Sequence, residues 1–134
     1  MYLITILYVD DEPVFLELTK LFLERSGEFN VETAMSAKEA MDQLKGRGYD
    51  AVVSDFQMPE MDGIELLRKI RTSGNTVPFI LFTGRGREEV VILALNEGAD
   101  FYLQKGGEAK VLFAELAQGI RHSVQKKKSY SHSS

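Results

Sequence analysis

The chain has 134 residues, 44% of them hydrophobic and 27% charged, which is typical of one packed, soluble domain. It contains no cysteine, which excludes disulfides, zinc–thiolate sites and thiol nucleophiles. It contains only two histidines, so a metal site built from several histidines is hard to form. Sixteen basic residues against twenty acidic ones give a net charge of −4, so we expect no direct binding of nucleic acid. We expect no second large domain within a chain of this length.

No targeting or membrane segment is visible in the sequence. The apolar stretch over residues 1–9 lacks a basic flank and runs directly into acidic residues, unlike a signal peptide. No apolar run approaches the length that spans a bilayer. We therefore expect a cytoplasmic protein without membrane insertion.

Short apolar runs typical of strands alternate with longer amphipathic segments typical of helices. Pro13 stands where a helix begins, since its missing N–H costs nothing there. Ser36 with Glu39, and Asp62 with Glu65, have the spacing of helix caps. The predicted strands are Ile4–Val9, Phe29–Ala34, Ala51–Ser54, 79–82 and 101–104.

Five helices are predicted to follow these strands. The first is expected to run from Pro13 to about residue 26, and the last to end near Val124. We expect a domain over residues 1–125 and a basic, serine-rich tail or linker over 126–134, whose three lysines form a solvated run. The apolar positions that mark these helices are a stripe of Val14, Phe15, Leu18, Leu21 and Phe22 in the first, Ala40, Met41 and Leu44 in the second, one face of Ile64, Leu67 and Ile70 in the third, and Val111, Leu112, Leu116 and Ile120 in the last, while Val91 to Leu95 lies in the fourth.

A strand followed by a helix, five times over, implies parallel strands joined by right-handed crossovers. The predicted fold class is α/β: a doubly wound five-stranded parallel sheet with helices on both faces. Ligands of such folds bind at the carboxyl ends of the strands. Those ends carry Asp10 with Asp11, then Asp55, then Thr83, and finally Lys105. Three carboxylates, a hydroxyl and an amine are therefore expected at one edge of the sheet.

This set of groups is suited to phosphoryl chemistry. Three neighbouring carboxylates repel one another unless a cation lies among them, and a site of oxygen ligands favours Mg²⁺. A lysine and a threonine hydroxyl suit phosphoryl oxygens, and an aspartate can act as the nucleophile. Taken singly, each aspartate could equally be a helix cap or a turn residue. Their occurrence at successive strand ends makes coincidence improbable.

The motifs around these residues resemble the receiver domain of two-component response regulators. They are Leu-Tyr-Val-Asp10-Asp11-Glu-Pro, Ser54-Asp55-Phe-Gln-Met-Pro-Glu-Met-Asp-Gly63, Phe82-Thr83-Gly, and Gly98-Ala-Asp-Phe-Tyr-Leu-Gln-Lys105. The resemblance extends from Ile6 to about Ile120 and implies the flavodoxin-like (βα)5 receiver fold. The segments after Thr83 and around Lys105 look similar to receivers from archaeal signalling proteins.

The resemblance implies a role for each of these residues. Asp55 would accept a phosphoryl group from a sensor histidine kinase or a phosphotransfer protein. Asp10 and Asp11 would hold Mg²⁺ together with Asp55 and the backbone carbonyl of Gln57. Lys105 would pair with the phosphoryl group. The chain would then be no enzyme beyond its own phosphorylation and dephosphorylation.

The resemblance also implies how the signal leaves the domain. Thr83 would move toward the phosphoryl group, coupled to rotation of Tyr102. The surface of the fourth helix, fifth strand and fifth helix would contact an unknown downstream protein or fused domain, or a second copy in a homodimer. Physically, a charge added at one site biases a two-state arrangement elsewhere.

One feature of the sequence departs from the pattern that is usual in this family, and two further residues lie at positions where the family varies. Gly106 stands where the family usually has proline, and Gly107 follows it, so the rigidity of this loop is in question. Gln57 and Arg85 lie two residues past Asp55 and Thr83, where phosphoryl lifetime is tuned.

A phosphate-independent interaction module of the same fold remains the alternative. Such a module would be expected to lack Asp55, Lys105 or an acidic partner, and none of these is missing. His122 lies on the last predicted helix without a kinase or phosphotransfer motif around it, so we interpret it as a partly exposed helix residue.

Overall fold

The computed structural model describes residues 2–84 and 87–133, with side chains as far as residue 129, and strands alternate with helices throughout. The strands are β1 Ile4–Val9, β2 Phe29–Ala34, β3 Ala51–Ser54, β4 Phe79–Thr83 and β5 Phe101–Gln104. The helices are α1 Pro13–Glu24, α2 Ala37–Gly46, α3 Gly63–Thr72, α4 Glu88–Asn96 and α5 Ala109–Ser133.

All five strands form one sheet in the order β2-β1-β3-β4-β5, and every neighbouring pair is parallel. Val9, the last residue of β1, is in register with Ala34 of β2 and with Ser54 of β3. Thr83 at the end of β4 is in register with Gln104 of β5. The carboxyl ends of the strands therefore lie at one edge, and the predicted doubly wound fold is confirmed.

Two hydrophobic clusters lie on opposite faces of the sheet. One contains Tyr8 and Phe82 from the strands and packs against α1 and α5. The other contains Leu7 and Leu81 and packs against α2, α3 and α4. This alternation along each strand buries both faces, because successive side chains point to opposite sides.

The core-facing side of α1 differs from the prediction. Leu16 and Leu23 are buried, whereas Val14, Leu18 and Leu21 are 67%, 39% and 56% exposed. Apolar residues surround nearly the whole of this helix, so its sequence periodicity does not single out one face. Phe15 and Phe22 pack against the core as expected. Val111, one of the apolar positions that mark α5, is likewise 54% exposed.

The predicted end of the last helix near Val124 is wrong, because α5 continues to Ser133. No glycine or proline interrupts the helix beyond Gly119, and lysine and glutamine are good helix formers. Lys127 Nζ donates to Thr76 Oγ1 at 2.7 Å, and Lys128 Nζ lies 3.4 Å from the centre of the Tyr2 ring. These contacts hold the helix extension against the amino-terminal edge of the sheet.

Within the described residues, no helix is both long enough and apolar enough to cross a membrane.

His122 is exposed on α5, in agreement with its interpretation as a helix surface residue.

Candidate functional site

The predicted residues from four strand ends come together at the carboxyl edge of the sheet. Asp10, Asp55 and Thr83 are buried, and the side chain of Lys105 is only 7% exposed. The Asp55 amide donates to the carbonyl of Val9 at 2.9 Å, which fixes the end of β3 against the end of β1. The sheet therefore brings these four side chains together, although they are up to 95 positions apart in the sequence.

Three carboxylates form an acidic cluster here. Asp10, Asp11 and Asp55 each offer one oxygen, and these three oxygens all lie within 4.8 Å of one another. Asp10 and Asp55 are 0% and 5% exposed, so water screens their mutual repulsion poorly. A cluster of oxygen donors, with neither sulfur nor imidazole, fits a hard divalent cation such as Mg²⁺.

Lys105 already provides one positive charge inside the cluster. Its Nζ lies 2.7 Å from Asp10 Oδ2 and 3.6 Å from Asp55 Oδ2. Two aromatic rings also lie close to it, with the Phe15 centroid at 4.2 Å and the Phe82 centroid at 5.6 Å from Nζ. One lysine leaves the three carboxylates with a net negative charge that attracts a cation.

Asp55 is anchored by its neighbours while its carboxyl faces the cleft. Its Oδ1 accepts from the Phe56 amide at 2.8 Å, its backbone carbonyl accepts from Ser54 Oγ at 2.8 Å, and its side chain is hydrogen-bonded to Thr83. Burial raises the pKa of the Asp55 carboxyl, and this effect outweighs the lowering by the Lys105 charge. The environment therefore disfavours the bare negative charge on Asp55.

The loop between β3 and α3 shapes one wall of the site. Asp62 caps α3, since its Oδ1 accepts from the amides of Ile64 and Glu65 at 2.9 and 2.8 Å, as the capping spacing predicts. A Cβ at Gly63 would lie 2.2 Å from the backbone oxygen of Asp55. Glycine is required there because the first turn of α3 presses on the backbone of the candidate phosphoacceptor.

The sequence predicts Tyr8 only as part of the strand Ile4–Val9, and its polar contact was not predicted. The Tyr8 hydroxyl, on a fully buried side chain, donates to Asp10 Oδ2 at 2.5 Å. Burial and the nearby charge of Asp10 raise the pKa of Tyr8 well above its ordinary value. The only sequence signal was a tyrosine in a mostly aliphatic strand, two residues before an aspartate and therefore on the same face.

The loop after Lys105 has glycine-specific geometry. Gly106 and Gly107 have φ angles of +142° and +79°, which proline cannot adopt. The glycine in place of the usual proline thus gives this loop a different backbone path. Arg85, singled out beside Gln57 in the sequence, lies outside the described residues.

Tyr102 lies on β5, in register with Leu81 of β4, and its side chain is partly buried. Leu81 and Thr83 point to the same face by strand alternation, so Tyr102 and Thr83 lie on the face covered by α4. Burial raises the pKa of the Tyr102 hydroxyl.

The site opens to solvent through a cleft of about 770 Å³. Its lining combines the acidic residues, the lysine and the loop that carries Gln57. The lining residues are Asp11, Glu12, Phe15, Asp55, Phe56, Gln57, Met58, Pro59, Asp62, Thr83, Gly84, Lys105 and Gly106. The side chains that line the cleft are therefore accessible from solvent.

The strand order and the acidic cleft at the carboxyl edge define a flavodoxin-like α/β protein. The family model of the response regulator receiver domain matches residues 6–117. The chain therefore belongs to the receiver domains of two-component response regulators, which are signalling domains and not enzymes in the ordinary sense.

Two relatives with similar sequences are regulatory proteins about twice as long as this chain. The chain is 33% identical over 121 residues to response regulator MprA of Mycolicibacterium vanbaalenii, covering 90% of this chain and 52% of that protein. It is 35% identical over 120 residues to transcriptional regulatory protein TrcR of Mycobacterium tuberculosis, covering 90% and 46%. The chain thus spans about half the length of these relatives.

Solved structures of receiver domains are similar over their whole length. A receiver domain protein from Clostridium thermocellum superposes with a TM-score of 0.84 at 32% identity, covering 95% of this chain and 98% of the other. A CheY-like receiver domain protein from Methanospirillum hungatei gives a TM-score of 0.81 at 30% identity, covering 93% and 99%.

Proposed function

We propose that this chain is a phosphorylation-activated switch in which Asp55 accepts a phosphoryl group. The observation that carries the proposal is the geometry around Asp55. Its buried carboxylate lies 3.6 Å from the Lys105 ammonium, is hydrogen-bonded to Thr83, and faces an open cleft. A nucleophile, a cation and a hydroxyl donor are thus arranged around the space that a transferred phosphoryl group would occupy.

The transfer itself requires little covalent work from the protein. An Asp55 carboxylate oxygen attacks the phosphorus of a phosphohistidine, the new O–P bond forms, and the N–P bond breaks. The departing imidazole takes up a proton, and Asp55 becomes a mixed anhydride. The ammonium of Lys105 offsets the negative charge of the phosphoryl oxygens, and positioning with charge stabilisation supplies most of the catalysis.

Mg²⁺ completes the proposed site. Asp10, Asp11, Asp55 and the backbone carbonyl of Gln57 would hold it, in accordance with the close carboxylate oxygens of the acidic cluster. When bound, the ion supplies charge neutralisation for the phosphoryl oxygens and relieves carboxylate repulsion.

The proposed response begins at Thr83. A phosphoryl group on Asp55 offers this hydroxyl new acceptor oxygens, and movement of Thr83 changes the space beside Tyr102 on the same face of the sheet. Rearrangement of both side chains would alter the packing of α4 against the sheet.

The proposed output surface is formed by α4, the edge strand β5 and α5, and we call it the α4–β5–α5 surface. It exposes large apolar side chains, with Ile92 and Leu95 of α4 53% and 51% exposed and Val111 of α5 54% exposed. Apolar exposure of this kind is typical of protein contact surfaces. A downstream protein, a fused domain or a second copy of the chain would bind here.

The proposed phosphodonor is a sensor histidine kinase or a phosphotransfer protein. The named relatives are regulators of about twice this length, so the output partner is proposed to be either a separate protein or a further domain. Residues 1–125 are proposed as the receiver unit, and residues 126–134 as a tail or linker.

Acetyl phosphate tests the proposal without a cognate kinase. The protein is incubated with this small donor, with Mg²⁺ or with a chelator, and its intact mass is measured. We expect one added phosphoryl group on the wild type with Mg²⁺, none on Asp55→Asn, and little with the chelator. Asp42→Asn, on α2 and away from the cleft, serves as the matched control and should be labelled as wild type is.

Beryllofluoride tests the response separately from the chemistry. It mimics the phosphoryl group, and we expect the amide signals of Thr83 and Tyr102 to shift on titration with Mg²⁺ present. A protein that gains no phosphoryl group and shows no shift at either residue would favour the phosphate-independent interaction module.

A further inference from the structure

Phe15 lies beside Lys105, although no sequence motif includes it. It is the third residue of α1, which begins at Pro13 directly after the acidic residues. Its ring is partly buried, lines the cleft, and has its centroid 4.2 Å from Lys105 Nζ. A cation within about 6 Å of an aromatic face is attracted by the ring quadrupole, most strongly where water is excluded.

The ring is itself held in place. Phe15 and Phe82 meet edge to face, with centroids 6.2 Å apart and planes at 73°. Phe82 is fully buried in β4 and also lies 5.6 Å from Lys105 Nζ. Two mutually fixed rings therefore bound the apolar side of the ammonium, and the carboxylates of Asp10 and Asp55 bound its polar side.

The chain after Lys105 provides little restraint of its own. Gly106 and Gly107 follow directly, and both adopt positive φ angles. Glycine is the least restricted residue, and the lysine side chain is a flexible four-carbon stem. The ammonium is also 2.7 Å from Asp10 Oδ2 but 3.6 Å from Asp55 Oδ2, so without a further contact it would shift toward Asp10.

We propose that Phe15 is a positioning residue that holds the Lys105 ammonium beside Asp55, where it meets the incoming phosphoryl oxygens. This role rests on the proposed function of Asp55. Loss of the ring should slow phosphorylation by roughly 3- to 30-fold, the range that corresponds to a partly desolvated cation–π contact.

The variants Phe15→Leu and Phe15→Met remove the ring, and Phe15→Tyr keeps it. Phe22→Leu is the matched control, because Phe22 is also on α1, stacks on Phe113 at 4.9 Å, and has Arg25 above its ring at 5.1 Å. We expect slower labelling by acetyl phosphate in both ring-less variants and a near wild-type rate in Phe15→Tyr and Phe22→Leu.

A double-mutant cycle separates positioning from a structural effect. In a Lys105→Ala background, Phe15→Leu should cause no further loss of rate, because the group it positions is gone. An equal loss in both backgrounds, or an equal loss in Phe22→Leu, would overturn the proposal.

The side-chain signal of Lys105 gives a readout that needs no phosphorylation. In protein labelled with ¹³C-lysine, its ε-methylene protons should be shifted upfield by the ring and identified by their loss in Lys105→Arg. Phe15→Leu should move them toward the values of exposed lysines, and Phe15→Tyr should not. An unchanged signal in Phe15→Leu would contradict the placement, whereas a wild type that accepts no phosphoryl group would refute the function of Asp55 alone.

Discussion

Replacement of Gly63 by alanine should disturb phosphorylation although Gly63 carries no functional group. A Cβ at this position would lie 2.2 Å from the carbonyl oxygen of Asp55, 3.1 Å from its carbonyl carbon and 3.2 Å from the Cα of Phe56. All three contacts are to backbone, so no side-chain rotation relieves them. The start of α3 and the end of β3 must separate instead.

The size of the effect can be worked out from these distances. Real Cβ contacts essentially never fall below 3.0 Å, so the two segments must move apart by about 0.8 Å. Overpacking of this kind costs about 1–3 kcal/mol in the free energy of unfolding, which a domain with about 5–15 kcal/mol survives. A displacement near 1 Å at a reacting group lowers the rate by about 10- to 100-fold.

The assay combines rate and stability. Labelling of Gly63→Ala by acetyl phosphate is followed by intact mass, and its unfolding by urea is followed by circular dichroism. Gly48→Ala is the control, because a Cβ there has no atom within 4 Å and should leave both quantities unchanged. A folded Gly63→Ala protein that is labelled at the wild-type rate would refute the contact between α3 and the Asp55 backbone.

Three further substitutions test burial and packing. The raised pKa of Asp55 means that the negative charge of its carboxyl opposes folding, so Asp55→Asn should be more stable to urea than wild type at neutral pH. This difference in stability should shrink as the pH falls through the raised pKa, because Asp55 of the wild type then becomes protonated. Tyr8→Phe removes the hydroxyl that donates to Asp10 at 2.5 Å, and should lower the free energy of unfolding by about 1.5–3 kcal/mol, read from the urea midpoint. Gly119→Ala would put a Cβ 2.4 Å from the Phe101 ring, and should lower the melting temperature through a cost of about 1–3 kcal/mol despite the better helix propensity of alanine.

Two of these predictions have a control in the same chain. Tyr49→Phe removes a hydroxyl that donates to partly exposed Glu32, and should cost less than Tyr8→Phe. Gly46→Ala, in α2 with no atom within 4 Å, should not destabilise. An Asp55→Asn protein less stable than wild type at neutral pH would mean that the charge on this carboxyl favours folding.

The sequence was sufficient to predict the fold and the meeting of the candidate site residues, because both depend on simple periodic rules. Alternating strands and helices imply a parallel sheet, and a parallel sheet brings its strand ends together. Asp10, Asp55, Thr83 and Lys105 therefore converge without any knowledge of side-chain packing.

The features that the sequence did not predict depend on packing between distant segments. The apolar residues surrounding α1 left its buried face undetermined, and only contact with the sheet selects Leu16 and Leu23 over Val14 and Leu18. The continuation of α5 likewise involves contacts of its lysines with residues far away in sequence.

Two contacts to the charged groups of the site were not predicted, for a related reason. Tyr8 and Phe15 satisfy apolar patterns as well as valine or leucine would, so nothing in the pattern separates a core residue from one that also touches a charge. Only the three-dimensional structure shows the Tyr8 hydroxyl on Asp10 and the Phe15 ring under Lys105.

The central claim is that Asp55, and not a neighbouring aspartate, carries the phosphoryl group. Borohydride reduces an aspartyl phosphate to homoserine, so the labelled protein can be reduced, digested and sequenced by tandem mass spectrometry. We predict homoserine at position 55, dependent on Mg²⁺ and acetyl phosphate, with Asp10 and Asp11 unchanged. Homoserine at position 10 or 11, or its absence throughout the chain, would contradict the account.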